Sequence, residues 1–215
     1  MADIGTDHGY LPIELVQRGI SPKVLACDVR SGPLQRAKEH VAQAGLQHCI
    51  ETRLSNGFEQ ILPGEVNGAV IAGMGGMLIR DILLEESTRP KNILKEMKQL
   101  ILQPQSDWEA VRQTLHSLSF RIDSEKMVID RDKYYWIFSC TPGQQTFEAQ
   151  WQYRYGMALP AQKDPTLLQF LQKQLRKNEE LLQGLAGGES DAARQRSAAL
   201  AAEIEELKEV LKAWQ

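Results

Sequence analysis

Short apolar runs alternate with stretches of helical spacing from the first residues to about Pro142, and this alternation restricts the chain to a sheet flanked by helices. Met1–Gly5 opens the chain as a first strand. Val24–Val29, Gly68–Gly73 and Leu100–Pro104 are further apolar runs of strand length. Behind Ser31, a capping residue, Leu34, Ala37 and Val41 repeat at helical spacing until Gly45 stops them. A second helical stretch passes through Leu78, Ile82 and Leu83, and a third spans Asp107–Leu118. Strands recurring between helices predict a parallel sheet with helices on both faces. Phe120–Ile129 and Tyr134–Cys140 depart from this pattern. They flank Asp130-Arg-Asp-Lys133, which predicts a hairpin at the sheet edge.

After about Phe147 the spacing changes again. Leu168, Leu171, Leu175, Asn178, Leu182 and Leu185 are separated by 3, 4, 3, 4 and 3 residues, and Leu200, Ile204, Leu207, Leu211 and Trp214 by 4, 3, 4 and 3. Two a/d seams predict an antiparallel helical hairpin, a short coiled coil with arms roughly 25–30 Å long at ~1.5 Å per residue. Gly184-Leu-Ala-Gly187-Gly188 lies where the chain would reverse. The same seams would serve if the helices packed on the main domain or on a second chain, so monomer and dimer both stay open. The expected division is 1–146 for the sheet domain and 147–215 for the hairpin.

Composition narrows the function. Hydrophobic residues make up 42% and charged residues 25%, a globular balance. No apolar run approaches the ~20 residues of a membrane span, and no basic-then-apolar leader opens the chain, so no membrane partner is expected. Cys27, Cys49 and Cys140 are scattered, odd in number and without a C-x-x-C pair. Neither a disulfide framework nor a structural metal is expected, and a reducing, cytoplasmic setting fits. The formal net charge of -3 means that any nucleic-acid surface must be a local basic patch.

The residues at successive strand ends carry the chemistry. Asp3-Ile-Gly5-Thr-Asp7-His8-Gly9-Tyr10-Leu-Pro12 is an acidic, glycine-bearing loop of nucleotide-binding type. The dinucleotide fingerprint G-x-G-x-x-G is absent, and Asp7 in the turn would repel a pyrophosphate, so the ligand of this loop is cationic or zwitterionic. Asp28 ends the second strand 23 residues after Gly5, where such folds place a carboxylate on ribose hydroxyls. The alternative for Asp28 is a charge at the start of the next helix. Asn56-Gly57 follows the third strand and Gly73-Met74-Gly75-Gly76 the fourth. Turn chemistry explains any one glycine pair; a series of four such strand ends points to a nucleoside site.

These segments, with Asp28-Val-x-x-Gly-Pro, Ser55-Asn56-Gly57, Val70-Ile-Ala-Gly-Met-Gly-Gly76 and Leu100-Ile-Leu-Gln-Pro104, resemble the TrmK family, bacterial tRNA (adenine-N1) methyltransferases that act on adenine 22 in the D-arm region of tRNA. The resemblance runs from Ala2 to about Pro142 and extends to the C-terminal hairpin. It implies a class I, Rossmann-like methyltransferase fold with S-adenosyl-L-methionine as cofactor and tRNA as partner. It implies that Asp3 and Gly5 belong to the first cofactor motif, that Asp28 takes the ribose hydroxyls, that Asn56 and Gly57 border the adenine, and that Gly73 and Met74 line the floor. Asp7, His8 and Tyr10 are then expected at the reacting centre, and Lys133 and Tyr135 fall on a recurring pattern of the family. Members carry a helix and the first half of strand one before Asp-Ile-Gly, whereas Met1 stands two residues ahead of Asp3. A stub of a first strand and a cofactor pocket short of one wall are therefore expected.

Adenine N1 holds an in-plane lone pair, so positioning matters more than a strong base. Its place on the Watson–Crick edge requires the base to leave its contacts and enter a pocket. Asp7 is expected to accept from the adenine N6 amine, with Tyr10 or Tyr135 stacking on the base and His8 bonding the base or fixing Asp7. Packing alone is the competing role for His8, Tyr134, Tyr135 and Trp136. Candidate RNA contacts are Arg30, Arg36, Lys38, Arg53, Arg80, Arg89, Lys91 and Lys95, with Lys173, Arg176 and Lys177 as a strip on the hairpin. Three rivals remain: a nicotinamide oxidoreductase, disfavoured by the missing fingerprint; a methyltransferase with another RNA, protein or small-molecule acceptor; and a non-catalytic interaction protein.

Overall fold

A computed structural model describes residues 1–185 and 190–215, so Gly187 and Gly188 of the expected reversal lie outside the described residues. The chain divides into two compact units, Met1–Glu125 with Trp136–Thr146, and Lys126–Tyr135 with Phe147–Gln215.

The first unit is built on β1 (Ala2–Ile4), β2 (Val24–Asp28), β3 (Ile50–Leu54), β4 (Gly68–Met74) and β5 (Gln99–Pro104), which are mutually parallel, with β7 (Lys133–Pro142) antiparallel to β5 and β6 (Phe120–Asp130) at the edge. The sheet order is β3-β2-β1-β4-β5-β7-β6. β1 is three residues long, yet all three are buried, because it pairs on both sides, with Asp3 opposite Ala26 and Val70. Its neighbours read as unbroken apolar runs because helices cover both faces of a parallel sheet.

Those helices are α1 (Tyr10–Gln17), α2 (Ser31–Gln43), α3 (Gly76–Thr88) and α4 (Trp108–Ser117). On one face Ala26, Val41 and Ile50 form a cluster joined by Ile13, Val16, Leu46 and Cys49. Ser31 does not cap α2; it is the first helical residue, and Arg30 before it has no side-chain cap bond. The start of the helix is secured instead by Asp28, whose Oδ1 accepts the Arg30 N–H at 2.9 Å. On α3 the buried line is Ile79, Leu83 and Glu86. Leu78 and Ile82, read above as part of the same repeat, turn instead toward a cleft.

The second unit holds the tip of the β6–β7 hairpin, α5 (Gln150–Tyr155), α6 (Ala158–Ala161), α7 (Pro165–Gly184) and α8 (Asp191–Leu211). At the tip, Arg131 and Asp132 have φ of 46° and 65°, as the two-residue turn matching strand twist requires. The sequence division at 146 assigns this tip to the sheet domain. In the structure it groups with the helices, where Tyr134 meets Phe170 edge-on at 5.2 Å and Lys173 lies 5.6 Å above the Tyr134 ring.

Asp164 caps α7 by accepting from Leu167 N at 2.8 Å, Pro165 starts the helix, and Ser190 caps α8. At 20 and 21 residues each helix is about 30 Å long. α7 and α8 pack together, burying Leu167, Leu171 and Asn178 with Leu200, Ile204, Leu207 and Val210. Of the expected seam Leu171, Asn178, Leu200, Ile204 and Leu207 are buried; Leu168, Leu175, Leu182, Leu185, Leu211 and Trp214 are half-buried, and Leu167 and Val210 are buried beside Leu168 and Leu211. Tyr155 and Leu159 are also buried in this unit, and Arg154 binds Glu206 at 2.7 Å, so the helices face more than one neighbour. A face of that kind is wider than a two-helix seam. Asn178, the polar member of the heptad, donates to Glu203 Oε2 at 3.1 Å and accepts from Gln174 at 2.9 Å.

Candidate active site

The sheet order reverses between β1 and β4, and open α/β sheets bind ligands at the carboxyl ends of strands beside such a reversal. A cleft of about 340 Å³ lies there, walled by the ends of β1, β2, β3 and β4 and by Leu78 and Ile82 of α3. A slightly larger opening, about 390 Å³, lies at the starts of β2 and β3, and none of the strand-end carboxylates or glycines faces it. The chemistry therefore selects the first.

Each wall has a local cause. After β1, the Gly5 and Thr6 N–H groups both donate to Cys27 O at 2.8 Å, which turns the chain sharply across the end of β2. Gly5 has φ 79°, and a Cβ there would stand 2.1 Å from Met74 Cε, so a side chain would both strain the turn and strike the floor. Asp7 follows with φ 47°, a conformation that Asp tolerates better than most residues, and its N–H donates to Asp28 Oδ2 at 3.1 Å. The nearly buried Asp28 carboxylate is thus held through both oxygens by backbone N–H groups, of Asp7 and Arg30. Each oxygen keeps a further lone pair for a ligand hydroxyl.

At the end of β3, Ser55 N–H donates to Asp28 O at 2.9 Å, and the Ser55 hydroxyl donates to Gly57 O at 2.9 Å, folding the Asn56-Gly57 turn over the cleft. At the end of β4, Gly73 N–H donates to Gln103 Oε1, and Gln105 N–H donates to Met74 O, both at 2.8 Å. A Cβ on Gly76 would stand 2.2 Å from Ser106 O. The glycine run after β4 and the Leu-Gln-Pro end of β5 are therefore one interlocked piece. Val29 and Leu78, both in the cleft lining, are 61% and 52% exposed, so the cleft offers apolar surface as well as carboxylates.

Asp3 is buried and is not part of the cleft lining. Burial, with the Asp28 charge adding to it, pushes its carboxyl up to about 6. The side chains of Asp7 and His8 are half-exposed, and Tyr10 is exposed at the start of α1. Asp7 Oδ1 lies 3.2 Å from Arg36 Nη2, and Asp7 Oδ2 lies 3.3 Å from His8 Nε2. His40 Nδ1 donates to His8 O at 2.8 Å. The rings of His8, Tyr10 and His40 form a close group with centroids 4.9–5.9 Å apart. Sequence reading named Arg36 only as an RNA cation and missed His40. Their spacing of four on one helix was the available signal, but nothing local says what that face meets.

The basic candidates separate into several groups. Arg30 lines the cleft with its side chain largely exposed. Arg80 is engaged by its neighbour Asp81 at 2.7 Å. Arg53 is bound by Glu51 and Glu65, and Arg89 lies within reach of Glu59, Glu85 and Glu86, so neither is a free cation. Lys133, Tyr135, Lys173, Arg176 and Lys177 belong to the second unit; the four cations are exposed and Tyr135 is half-buried. Trp136 is fully buried against Trp108, in the packing role weighed above, and Tyr134 packs on Phe170.

The model of the TrmK family, described as tRNA (adenine(22)-N(1))-methyltransferase, matches residues 1–209. The chain is 36% identical over 143 residues to the tRNA (adenine(22)-N(1))-methyltransferase of Bacillus subtilis, covering 66% of this chain and 58% of that protein. It thus spans less than two thirds of the length of that curated relative. Among solved structures it is similar to Sp1610 of Streptococcus pneumoniae, with a TM-score of 0.88, 34% identity, and coverage of 98% of this chain and 91% of that chain. The same protein solved in complex with S-adenosyl-L-methionine gives a TM-score of 0.86 at 34% identity, over 98% of this chain and 91% of that one. The crystal structure of B. subtilis TrmK gives 0.87 at 27% identity, with the same shares covered.

Proposed function

Because the chain belongs to the TrmK family of tRNA (adenine(22)-N(1))-methyltransferases, we propose that it transfers a methyl group from S-adenosyl-L-methionine to N1 of adenine 22 in tRNA. The observation that carries this reading is the cleft at the sheet reversal, where four strand ends bring Gly5, Asp28, Asn56, Gly57, Gly73 and Met74 together. The residues present fit the cofactor. The volume lies within the ~300–1,000 Å³ usual for small-molecule sites. A carboxylate held by backbone N–H groups suits ribose hydroxyls, and the exposed faces of Val29 and Leu78 suit an aromatic ring. When bound, S-adenosyl-L-methionine supplies an electrophilic methyl group on a sulfonium.

The remaining work falls to the chain. Asp28 takes the ribose hydroxyls, Asn56 and Gly57 border the cofactor's adenine, and Gly73 and Met74 form the floor. Asp3, behind that lining, supports the methionine end through the turn at Gly5. Adenine N1 needs no base to expose its lone pair, so the rate comes from in-line placement of a base withdrawn from its RNA contacts. Asp7 accepts from the N6 amine through a free lone pair on either oxygen. His8 holds Asp7 from the other side, and the exposed ring of Tyr10 stacks on the base. Tyr135 is the second candidate for that stacking. Arg30, Arg80, Lys133, Lys173, Arg176 and Lys177 meet RNA phosphates, Arg80 least because Asp81 competes for it. Action on tRNA, together with three free cysteines, fits the cytoplasm.

The test is transfer of labelled methyl from S-adenosyl-L-methionine to an unmodified tRNA transcript carrying adenine 22, beside a transcript with guanine there. Label in the adenine transcript alone is expected. Equal label in both would move the acceptor elsewhere, and no label with no S-adenosylhomocysteine binding would remove the enzymatic reading. Asp7→Ala is expected to abolish turnover while leaving S-adenosylhomocysteine affinity nearly unchanged. Asp7→Asn, which also tolerates the positive φ, separates charge from backbone strain.

A further inference from the structure

We infer that α2 is the positioning element of the reaction: Arg36 and His40 hold Asp7, His8 and Tyr10 where the target base must meet them. This deepens the methyltransferase reading and rests on it.

The loop from Gly5 to Gly9 is held on two sides. On the side of β2, the Asp28 carboxylate accepts the Asp7 N–H and so fixes the backbone. That contact does not set the direction of the Asp7 side chain, which within the loop meets His8 Nε2 at 3.3 Å. From outside the loop the direction comes from α2. Arg36 Nη2 meets Asp7 Oδ1 at 3.2 Å. One turn later, His40 meets the His8 carbonyl at 2.8 Å. A carbonyl only accepts, so His40 Nδ1 carries the hydrogen. The His40 ring also stacks against Tyr10 with centroids 4.9 Å apart. Between these two residues, Ala37 lies so close to the loop that a Cβ on Gly9 would stand 3.1 Å from its own Cβ. One face of α2 thus touches the loop at Asp7, His8, Gly9 and Tyr10 in succession.

Magnitude separates this role from a structural one. Asp7 and Arg36 are 49% and 47% exposed, and ion pairs that open to water add little to stability. What such a pair does supply is direction. Loss of that direction affects the step that depends on placement of the base, and misplacement by about 1 Å can cost on the order of 100-fold in rate. The contacts therefore show in turnover and barely in unfolding.

The experiment uses the full chain with Arg36→Met, Arg36→Lys, His40→Leu and His40→Asn. Four readouts are needed: melting temperature, S-adenosylhomocysteine affinity, and kcat and KM for the adenine-22 transcript. Arg36→Met and His40→Leu are expected to lower kcat about tenfold or more, with cofactor affinity and melting temperature nearly unchanged. Arg36→Lys retains a cation, and His40→Asn retains a donor near the Nδ1 position, so each should recover part of the loss. Unchanged kcat in all four overturns the inference. So does a defect confined to KM for tRNA, which makes Arg36 a phosphate contact, or an equal fall in cofactor affinity, which makes the face part of the cofactor site. An unaltered chain that transfers no label to the transcript overturns the underlying reading instead, and the inference falls with it.

Discussion

Two of the charge clusters in the first unit, each joining an arginine to carboxylates or a carboxylate, differ in burial and in how they are held. At the strand ends, Asp28, Asp7 and Arg36 are joined by one backbone bond and one loose ion pair, with Asp7 and Arg36 half in water. Between α4 and β6, Arg112 and Glu125 are sealed, 0% and 2% exposed, with Nε and Nη2 of the arginine both 2.8 Å from Oε1. Trp136 and Phe138 lie against that guanidinium, their ring centroids 5.5 and 4.6 Å away. The same side-chain chemistry is sealed from water in one place and left half in water in the other, and the second is where we propose that the ligands enter. A buried pair cannot lose one member without leaving a desolvated charge. An open pair can, because solvent replaces the partner.

The largest expected effect breaks the sealed cluster. Arg112→Met should lower unfolding stability by about 3–5 kcal/mol in urea titration, whereas Asp7→Asn should change it by less than about 1 kcal/mol. Equal losses would end the distinction. Next comes the cleft itself: Asp28→Asn should weaken S-adenosylhomocysteine binding by roughly ten- to hundredfold, about 1.4–2.8 kcal/mol by calorimetry, while the fold survives.

Asp3 stands between the two regimes, buried yet beside the cleft, and pH exposes this. Its folded carboxyl titrates near 6 against an ordinary 3.8, so the folded state holds a proton that the unfolded chain has already released. Its contribution to stability is therefore present below about 3.8 and lost as pH rises to about 6. Asp3→Asn should gain on the order of 1–2 kcal/mol over the unaltered chain at pH 8 and nothing at pH 4, read from melting temperatures across pH. A constant difference would remove the titration from the explanation. The smallest effect is expected on the second unit, where Lys177 is exposed. Lys177→Ala should leave stability unchanged, weaken tRNA binding a few-fold, and reduce the salt slope by about 1.

Much of this was legible in the chain itself. The strands at Val24, Gly68 and Leu100 and the edge hairpin follow from apolar periodicity and turn residues, which are local properties. So are the glycines and acids at the strand ends, because a parallel sheet places every such end on one side. Other features were not local. Leu78 and Ile82 match the apolar repeat of α3 but line the cleft, since periodicity marks a face without naming what it faces. The buried line of the second unit takes in Leu167 and Val210 beside the expected seam because it packs on more than one partner. Arg53 and Arg89 read as free cations until the fold brought glutamates beside them.

Local patterns in the chain are enough for the parallel sheet, its flanking helices and the residue types at its strand ends. Which of those residues meet one another is settled by packing. Arg36 meets Asp7 across 29 residues and His40 meets His8 across 32, while Asp28 and Glu125, both buried, are held by backbone N–H groups in one case and by the Arg112 guanidinium in the other. Contacts between segments distant in the chain and access to solvent are properties of the packed molecule, and no window of neighbouring residues contains them.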